Sequence, residues 1–366
     1  MRSKCHFHIA DSLKSVHNEV KYVLSVLGQS YETEVCFTGI NGQAATVSSS
    51  TDCDIPVRSE NIADASRLSF GKDFTKDGFL MLENGDKDYL STAIYLLSLA
   101  QELDGSKKDA FGRFPYSDSY QKHFSAVLEN RVQHCFDDII VANPKFSLFK
   151  KPNEKSSIFI SHDVDFINGA LVQDGFHALK KLNIPAIFQI ILSNLLVNPQ
   201  WLNMDKIMKI ESEYDFISTF YWLVNKGLSK EGIKNADYTF RSKKVQTQLQ
   251  LVSDSGWENG LHKSISDDSF KTEIEKLNFI PTGNRYHFLR FRPHDDFELI
   301  NDAGLKFDTS LGFAEEIGFR NSYGLPYRPF NFRTKKRMTL WNARCTLWTQ
   351  RFVVIRNRMP ARRMPK

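Results

Sequence analysis

Two aspartates that follow an apolar stretch are the clearest candidates for chemistry. Ser157 to Ser161 is predicted to form a strand, and Asp163 and Asp165 come directly after it. If the strand ends before Asp163, the loop can turn both carboxylates toward one pocket. With His162 beside them, they could hold a divalent metal and take a proton from its bound water. The same pattern could instead cap a helix or pair with an arginine.

A second candidate is His262, the last residue of a short predicted strand that starts at Glu258 and follows the helix-ending Gly256. A single histidine of this kind could simply be packed or solvated. Its position favours a functional role, because the carboxyl ends of parallel strands meet at one edge of a sheet. We therefore expect His262 to converge with Asp163 and Asp165.

A third candidate is the stretch from Arg285 to Phe291, which alternates apolar and polar residues and includes His287. The alternation predicts a strand with two cationic side chains, Arg285 and His287. An ordinary amphipathic strand fits the pattern equally well.

The elements that must position these residues alternate between short apolar runs and amphipathic helices. The strand candidates are Ile158 to Ser161, Ala186 to Leu192, Phe216 to Leu223, Glu258 to His262, Tyr286 to Phe291 and Leu305 to Asp308. The helical patterns between them include Met204 to Ser212, Lys243 to Ser255 and Ser269 to Leu277. This alternation predicts an α/β fold with a parallel sheet, and a barrel of βα units suits a chain of this length.

The first 150 residues mix short β-prone stretches with a helical pattern and are predicted to form a smaller α+β domain of unknown role. Glu34 to Phe37 and Thr46 to Ser48 are β-prone, and Asp88 to Leu103 has helical periodicity. Asp109 to Phe114 is turn-like, for which a structural role is expected. Lys150 to Ser156, with its proline and lysines, is predicted to be the linker between the two domains.

The net charge of +5 is unevenly distributed. Residues 333–366 contain eleven Lys and Arg and no acid, which leaves 48 − 11 = 37 basic against 43 acidic residues elsewhere, a net of −6. A nucleic-acid interpretation therefore depends wholly on this tail, and we expect no nucleic-acid partner. The five cysteines have no zinc-like or paired spacing, and no apolar run is long enough to span a membrane, so a cytoplasmic location is expected.

Several motifs, taken in order, resemble the polysaccharide deacetylase superfamily of the carbohydrate esterase family 4 type. More closely, the chain resembles a bacterial subgroup in which an extra N-terminal domain precedes the deacetylase domain. The motifs are Tyr95 to Ser98, Asp109 to Phe114, Ser161 to Asp165, Ser218 to Phe220, Gly260 to Ser264, Arg285 to Leu289, Phe307 to Gly312 and Gly318 to Arg320.

The resemblance implies a role for each candidate residue. Asp163 matches the catalytic base, and Asp165 and His262 match metal ligands. The family usually has a further histidine where this chain has Ser266, so the third ligand could be His287, water or nothing. Arg285 matches the arginine that orients the base and fixes its rotamer.

The fold and activity implied are those of a metal-dependent carbohydrate hydrolase. Residues 151–332 would form a distorted (β/α) barrel that removes N-acetyl or related acyl groups from a sugar in surface polysaccharide biosynthesis. Zinc is the first choice of metal, although cobalt, iron or manganese would suit the same ligands. The alternative is a catalytically inactive carbohydrate-binding or scaffold protein that has kept the fold.

The composition of residues 333–366 predicts a basic tail outside the fold. Family members continue here with further βα units and a late histidine that acts as general acid. A one-base shift of suitable codons after Lys336 would encode a strand-like segment instead. We therefore expect a frameshifted tail and a barrel that is incomplete at its C-terminus.

Overall fold

The computed structural model describes residues 4–39, 44–103, 107–146, 149, 158–168, 175–196 and 201–343. The N-terminal region, residues 4–149, contains strands β1 (Lys4–Ile9), β2 (Glu34–Phe37), β3 (Ala45–Ser48), β4 (Ile55–Pro56), β5 (Leu80–Met81) and β6 (Lys87–Asp88). Its helices are α1 (His17–Ser30), α2 (Ser59–Ala63), α3 (Tyr89–Leu97), α4 (Tyr120–His123) and α5 (Arg131–Ala142).

The C-terminal region, residues 158–343, contains strands β7 (Ile160–Val164), β8 (Ser218–Leu223), β9 (Glu258–Lys263), β10 (Gly283–Tyr286), β11 (Phe307–Asp308), β12 (Phe330–Asn331), β13 (Lys336–Arg337) and β14 (Trp341–Asn342). Its helices are α6 (Gly175–Lys180), α7 (Ile184–Leu196), α8 (Met204–Ser212), α9 (Lys243–Asp254), α10 (Phe270–Lys276) and α11 (Pro293–Asp302).

The main sheet of the N-terminal region is parallel. Its four strands lie in the order β2-β1-β3-β4, and every pairing in it is parallel. Helix α1 packs on the core through Val20, Val23, Leu24 and Leu27, which recur on one face at helical spacing and are buried. The arrangement is therefore closer to α/β than to the α+β domain expected from the sequence. The antiparallel pairings described in this region are the β5-β6 pair and an isolated bridge between Phe74 and Leu80.

Helix α3 is shorter than its periodicity predicts. Asp88 caps its first turn by accepting a hydrogen bond from the Ser91 amide, at 3.0 Å. The helix ends at Leu97 rather than Leu103, because Leu99 adopts a left-handed conformation with φ of 55° and begins a short 3-10 turn, Ala100–Glu102.

A six-stranded parallel sheet positions the candidate site in the C-terminal region. The strands lie in the order β14-β11-β10-β9-β8-β7, and all five pairings are parallel. The carboxyl ends of β7, β9 and β10 therefore share one edge. Within the described residues the sheet is open, since no pairing joins β14 to β7, and a barrel remains a prediction.

The strand predicted at Ala186 to Leu192 is wrong, because these residues lie inside helix α7. The run is apolar without alternation, and such a pattern does not distinguish a buried strand from a helix. The strand predicted from Tyr286 to Phe291 is also largely wrong: β10 ends at Tyr286, and a 3-10 turn, His287–Leu289, follows it. Among the helices that the structure describes, none has the length and apolar character needed to cross a membrane.

The two regions contact each other through buried side chains. Arg320 pairs with Glu102 through two hydrogen bonds of 2.9 and 2.6 Å, and both side chains are almost fully buried. Tyr22 stacks on Phe330 with ring centroids 4.9 Å apart. The predicted linker, 150–156, lies outside the described residues, so the domain boundary stays a prediction.

Part of the predicted tail belongs to the fold. Lys336–Arg337 pairs with β12, Trp341–Asn342 pairs with β11, and Leu340 is buried. Residues 344–366 lie outside the described part of the chain.

Candidate metal centre

Asp163 and Asp165 point to the same side of the sheet because they lie two positions apart along an extended chain. Strand β7 runs through Asp163 to Val164, so strand alternation aligns the carboxylates, not the loop turn considered from the sequence. His162 faces the opposite side, where its Nε2 lies 2.7 Å from Glu211 Oε1. Glu211 also accepts hydrogen bonds from other side chains, and His162 is therefore part of a structural polar cluster.

His262 and Arg285 lie side by side because β9 and β10 pair in parallel with these two residues in register. His287 follows β10 immediately. All three side chains are more than nine-tenths buried. The structure thus brings together all five residues proposed from the sequence: Asp163, Asp165, His262, Arg285 and His287.

Two backbone carbonyls set the tautomers of the histidines. His262 Nδ1 lies 2.8 Å from the carbonyl oxygen of Arg285, and His287 Nε2 lies 2.9 Å from that of Lys234. A carbonyl can only accept, so each of these nitrogens carries the proton. The lone pairs of His262 Nε2 and His287 Nδ1 are then left on the inner side of the cluster, as in histidines that bind metals.

Three acceptor atoms converge as a result. Asp165 Oδ1 lies 3.1 Å from His262 Nε2 and 3.4 Å from His287 Nδ1, and the two histidine nitrogens are 3.2 Å apart. Asp165 Oδ1 is buried and has no hydrogen bond of acceptable geometry to any described residue. Converging lone pairs repel one another unless a proton or a metal ion lies between them. One carboxylate and two imidazole nitrogens, all within 4.8 Å of one another, fit a divalent metal such as zinc.

The negative charge of the cluster acts differently on the two histidines. Burial opposes protonation of His262, but Asp163 and Asp165 outweigh it and raise its pKa. For His287, burial prevails and lowers the pKa. The neutral imidazole that a metal requires is therefore the favoured form of His287.

Asp163 lies beside the three acceptor atoms but is held by a different partner. Its Oδ1 accepts a hydrogen bond of 3.1 Å from Arg285 Nη1, and its Oδ2 lies 3.9 Å from His262 Nε2. Arg285 is fixed in turn by Thr309 Oγ1, 3.1 Å from its Nε, and by the ring of Tyr221, 5.0 Å from the guanidinium carbon.

The sequence interpretation gave no role to Tyr221, and it gave none to Thr309, although Thr309 lies within the Phe307 to Gly312 motif. Thr309 directly follows β11 at the same sheet edge, which is a signal that could have identified it. Tyr221 lies inside a fully buried strand, where nothing in its residue type distinguishes it from core.

Ser266 does not lie among the acceptor atoms. Its hydroxyl donates to Glu273 Oε1 at 3.0 Å and accepts from Asn225 Nδ2 at 3.2 Å. Of the options left open for the third ligand, the geometry favours His287.

The segment from Lys234 to Tyr238 contacts the backbone around Asp165 as well as His287. The Tyr238 hydroxyl donates to the carbonyl of Val164 at 2.7 Å, and Asp237 accepts hydrogen bonds from the amides of Ile167 and Asn168 at 2.9 and 3.0 Å. These contacts fix the backbone on both sides of Asp165. No periodicity or motif in this segment signals its role.

A cavity of about 620 Å³ lies near the carboxyl ends of β9 and β10, and Lys263 and Tyr286 are among the residues that line it. These residues alternate with His262 and Arg285 along their strands and therefore face away from the acceptor atoms. None of the five candidate residues lines this cavity.

Comparison with known proteins adds little to the geometry of the site. No family model matches the chain, and no curated protein matches it. Among solved structures, a candidate polysaccharide deacetylase from Mycobacterium smegmatis matches 51% of this chain and 57% of its own, with 11% identity and a TM-score of 0.30. The match spans little more than half of that protein, and at this TM-score it carries no argument about fold or function.

Proposed function

We propose that the protein is a metal-dependent hydrolase that removes N-acetyl or related acyl groups from a carbohydrate. The observation that supports this proposal is the convergence of Asp165, His262 and His287 beside a separate carboxylate, Asp163, that is held by Arg285. A metal site with an adjacent base is the arrangement that metal-assisted hydrolysis requires. The choice of an N-acetylated sugar of surface polysaccharide biosynthesis rests on the motif resemblance.

The residues of the site have separate roles in this proposal. Asp165, His262 and His287 would hold the metal, with zinc as the first choice. When bound, it would polarise the acyl carbonyl and make a water molecule more acidic. Arg285 keeps Asp163 directed at the site, and Thr309 and Tyr221 keep Arg285 in place.

In this proposal, Asp163 carries a proton from the attacking water to the leaving nitrogen. It accepts a proton from the water that attacks the acyl carbon. When the C–N bond breaks, the same proton passes to the leaving nitrogen, so that acetic acid and a free amine form and the carboxylate is restored. The acetic acid then gives its own proton to the amine or to solvent. No second acid is needed for this balance.

Metal content and acetate release test the proposal together. The protein is stripped with a chelator, reloaded with Zn²⁺ and assayed on oligomers of N-acetylglucosamine. We expect stoichiometric zinc and zinc-dependent acetate release. Asp165→Ala and His262→Ala should lose both, because each removes a ligand.

His162→Gln is the matched control, since this neighbouring histidine pairs with Glu211 outside the cluster. It should keep the metal. A protein that binds no zinc, or zinc that Asp165→Ala retains, would contradict the proposal. Zinc-loaded protein that binds the oligomers without releasing acetate would favour the carbohydrate-binding alternative.

A further inference from the structure

His287 is followed by two residues in an unusual backbone conformation. Phe288 has φ of 56° and Leu289 has φ of 52°, so both lie in the left-handed region that residues with a side chain rarely adopt. Such a conformation persists where the surroundings enforce it, and it is concentrated at functional sites. The contacts that enforce it here therefore also determine how the chain leaves His287.

Residues 109–113 of the N-terminal region, the 109–113 loop, provide two of these contacts. Arg113 Nη1 donates a hydrogen bond of 3.1 Å to the carbonyl oxygen of Phe288. The Phe111 ring stacks on the Phe288 ring, with centroids 5.4 Å apart and planes only 9° from parallel. One contact fixes the peptide after Phe288, and the other fixes its side chain.

The 109–113 loop is itself held rigidly. Asp109 accepts hydrogen bonds from the amides of Phe111 and Arg113, each 2.9 Å long. Its other carboxylate oxygen pairs with the Arg113 guanidinium at 2.7 and 2.6 Å. Arg113 is thus presented to Phe288 in one orientation, and both members of the ion pair are mostly buried.

We propose that the 109–113 loop is a positioning element for His287, with Arg113 and Phe111 as its positioning residues. The part of this inference that concerns metal rests on the proposed function. The loop holds the left-handed turn, and the turn directs His287 Nδ1 toward Asp165 and His262. The N-terminal region thereby completes a site whose proposed ligands all come from the C-terminal region.

Hydrogen exchange tests the turn without any metal. The amides of Arg290 and Phe291 donate to the carbonyls of His287 and Leu289, at 3.1 and 2.8 Å, and therefore report on the turn. We expect these amides to exchange on the order of tenfold faster in Arg113→Ala and in Phe111→Leu. Phe111 is more than one-third exposed, so its substitution is the one that leaves the fold intact.

Cobalt binding tests the consequence for the site. With Co²⁺ as the probe, we expect affinity to fall about 10- to 100-fold in both variants, the range typical for residues that support metal ligands. The visible absorption of the bound Co²⁺ should shift as His287 is displaced. Arg113→Lys, which can donate to Phe288 or pair with Asp109, should recover part of the affinity.

Arg131→Ala is the matched control. Arg131 pairs with Glu129 at 2.6 Å, is as buried as Arg113, and also lies over a phenylalanine ring, that of Phe79. Its loss should leave exchange at Arg290 and Phe291 and the Co²⁺ affinity unchanged.

The outcomes distinguish the positioning role of the 109–113 loop from the metal-binding proposal. Unchanged exchange in Arg113→Ala and Phe111→Leu overturns the positioning role. Faster exchange with Co²⁺ affinity within twofold of the parent also overturns it, because the loop would then support the turn without serving the site. If the parent binds no Co²⁺, the metal proposal fails, while the exchange measurement still decides whether the loop holds the turn.

Discussion

The two faces of strand β9 carry neighbouring polar residues in opposite conditions. On one face, His262 meets Asp165 and His287, and the acceptor atoms converge around a buried carboxylate oxygen to which no described residue donates a hydrogen bond. On the other face, Lys263 Nζ lies 2.7 Å from Glu273 Oε1, and Glu273 also accepts hydrogen bonds from Ser266 and the Ser264 amide. The charges of the second cluster cancel, whereas the converging acceptor atoms of the first fit a metal ion.

This difference is the one expected between a binding site and a structural cluster. Buried polar groups are normally paired, and the Lys263–Glu273 cluster follows that rule. The converging acceptors beside Asp163 depart from it, which is expected where a ligand supplies the missing partner. Substitutions in the two clusters should therefore change different quantities. In the Asp163 cluster they should lower activity, and in the Lys263–Glu273 cluster they should lower the free energy of unfolding.

The largest effect is expected at Asp163. Asp163→Asn removes the proton acceptor but keeps the size of the side chain, so acetate release should fall by about 10²- to 10⁴-fold. Zinc affinity should stay within a few-fold, because Asp163 is not one of the three converging ligands. Parallel loss of zinc and activity would instead place Asp163 among the ligands.

Substitutions on the Lys263 face of β9 should change the free energy of unfolding. Glu273→Ala leaves Lys263 buried without its partner, and we expect the free energy of unfolding to drop by about 3–5 kcal/mol in urea titrations. Glu275→Ala on the exposed side of the same helix is the control and should have little effect. Replacing both partners, with Lys263→Met and Glu273→Leu, should recover most of the loss. A small effect of Glu273→Ala would break the comparison.

Asp308 sharpens the comparison, because its partners are all uncharged donors. Burial raises the pKa of this carboxyl to about 6, although Ser310 and Asn284 donate hydrogen bonds to it. The folded protein therefore holds this proton more tightly than the unfolded chain, whose value is about 4. The contribution to stability is fully present below about pH 4 and is lost as the pH rises through about 6, on the order of 3 kcal/mol.

Urea unfolding between pH 4 and 7 measures this contribution as the difference between the parent and Asp308→Asn. The parent should lose stability relative to the variant as the pH rises. The exposed Asp302→Asn should follow the parent. Parallel curves for the parent and Asp308→Asn would show that folding does not raise the pKa of Asp308.

The elements with a clear hydrophobic period were predictable from the sequence. Helix α8 begins and ends at the predicted residues, because apolar positions recur on one face of it. The run from Ala186 to Leu192 misled because it lacks a period. The left-handed turn after His287 was not predictable, since neither Phe288 nor Leu289 is a residue that favours it.

The residues of the candidate site were predictable from the sequence, but the contacts that hold them in place were not. Asp163, Asp165 and His262 lie at the carboxyl ends of strands of one sheet, a position that can be inferred from the sequence. The carbonyl of Lys234 and the side chain of Arg113 act through tertiary contacts across 53 and 175 positions. Sequence separation of this size leaves no local pattern.

The long contact between Arg113 and Phe288 also bears on synthesis of the chain. A ribosome must complete 175 further residues after Arg113 before this hydrogen bond can form. Contacts at such separation are slow to close, because the entropy of the intervening chain must be lost first. The strands of the N-terminal sheet, by contrast, are all synthesised by Pro56, so this sheet can pair long before His287 can be positioned. If the site binds zinc as proposed, supplying zinc early in translation should therefore not accelerate folding.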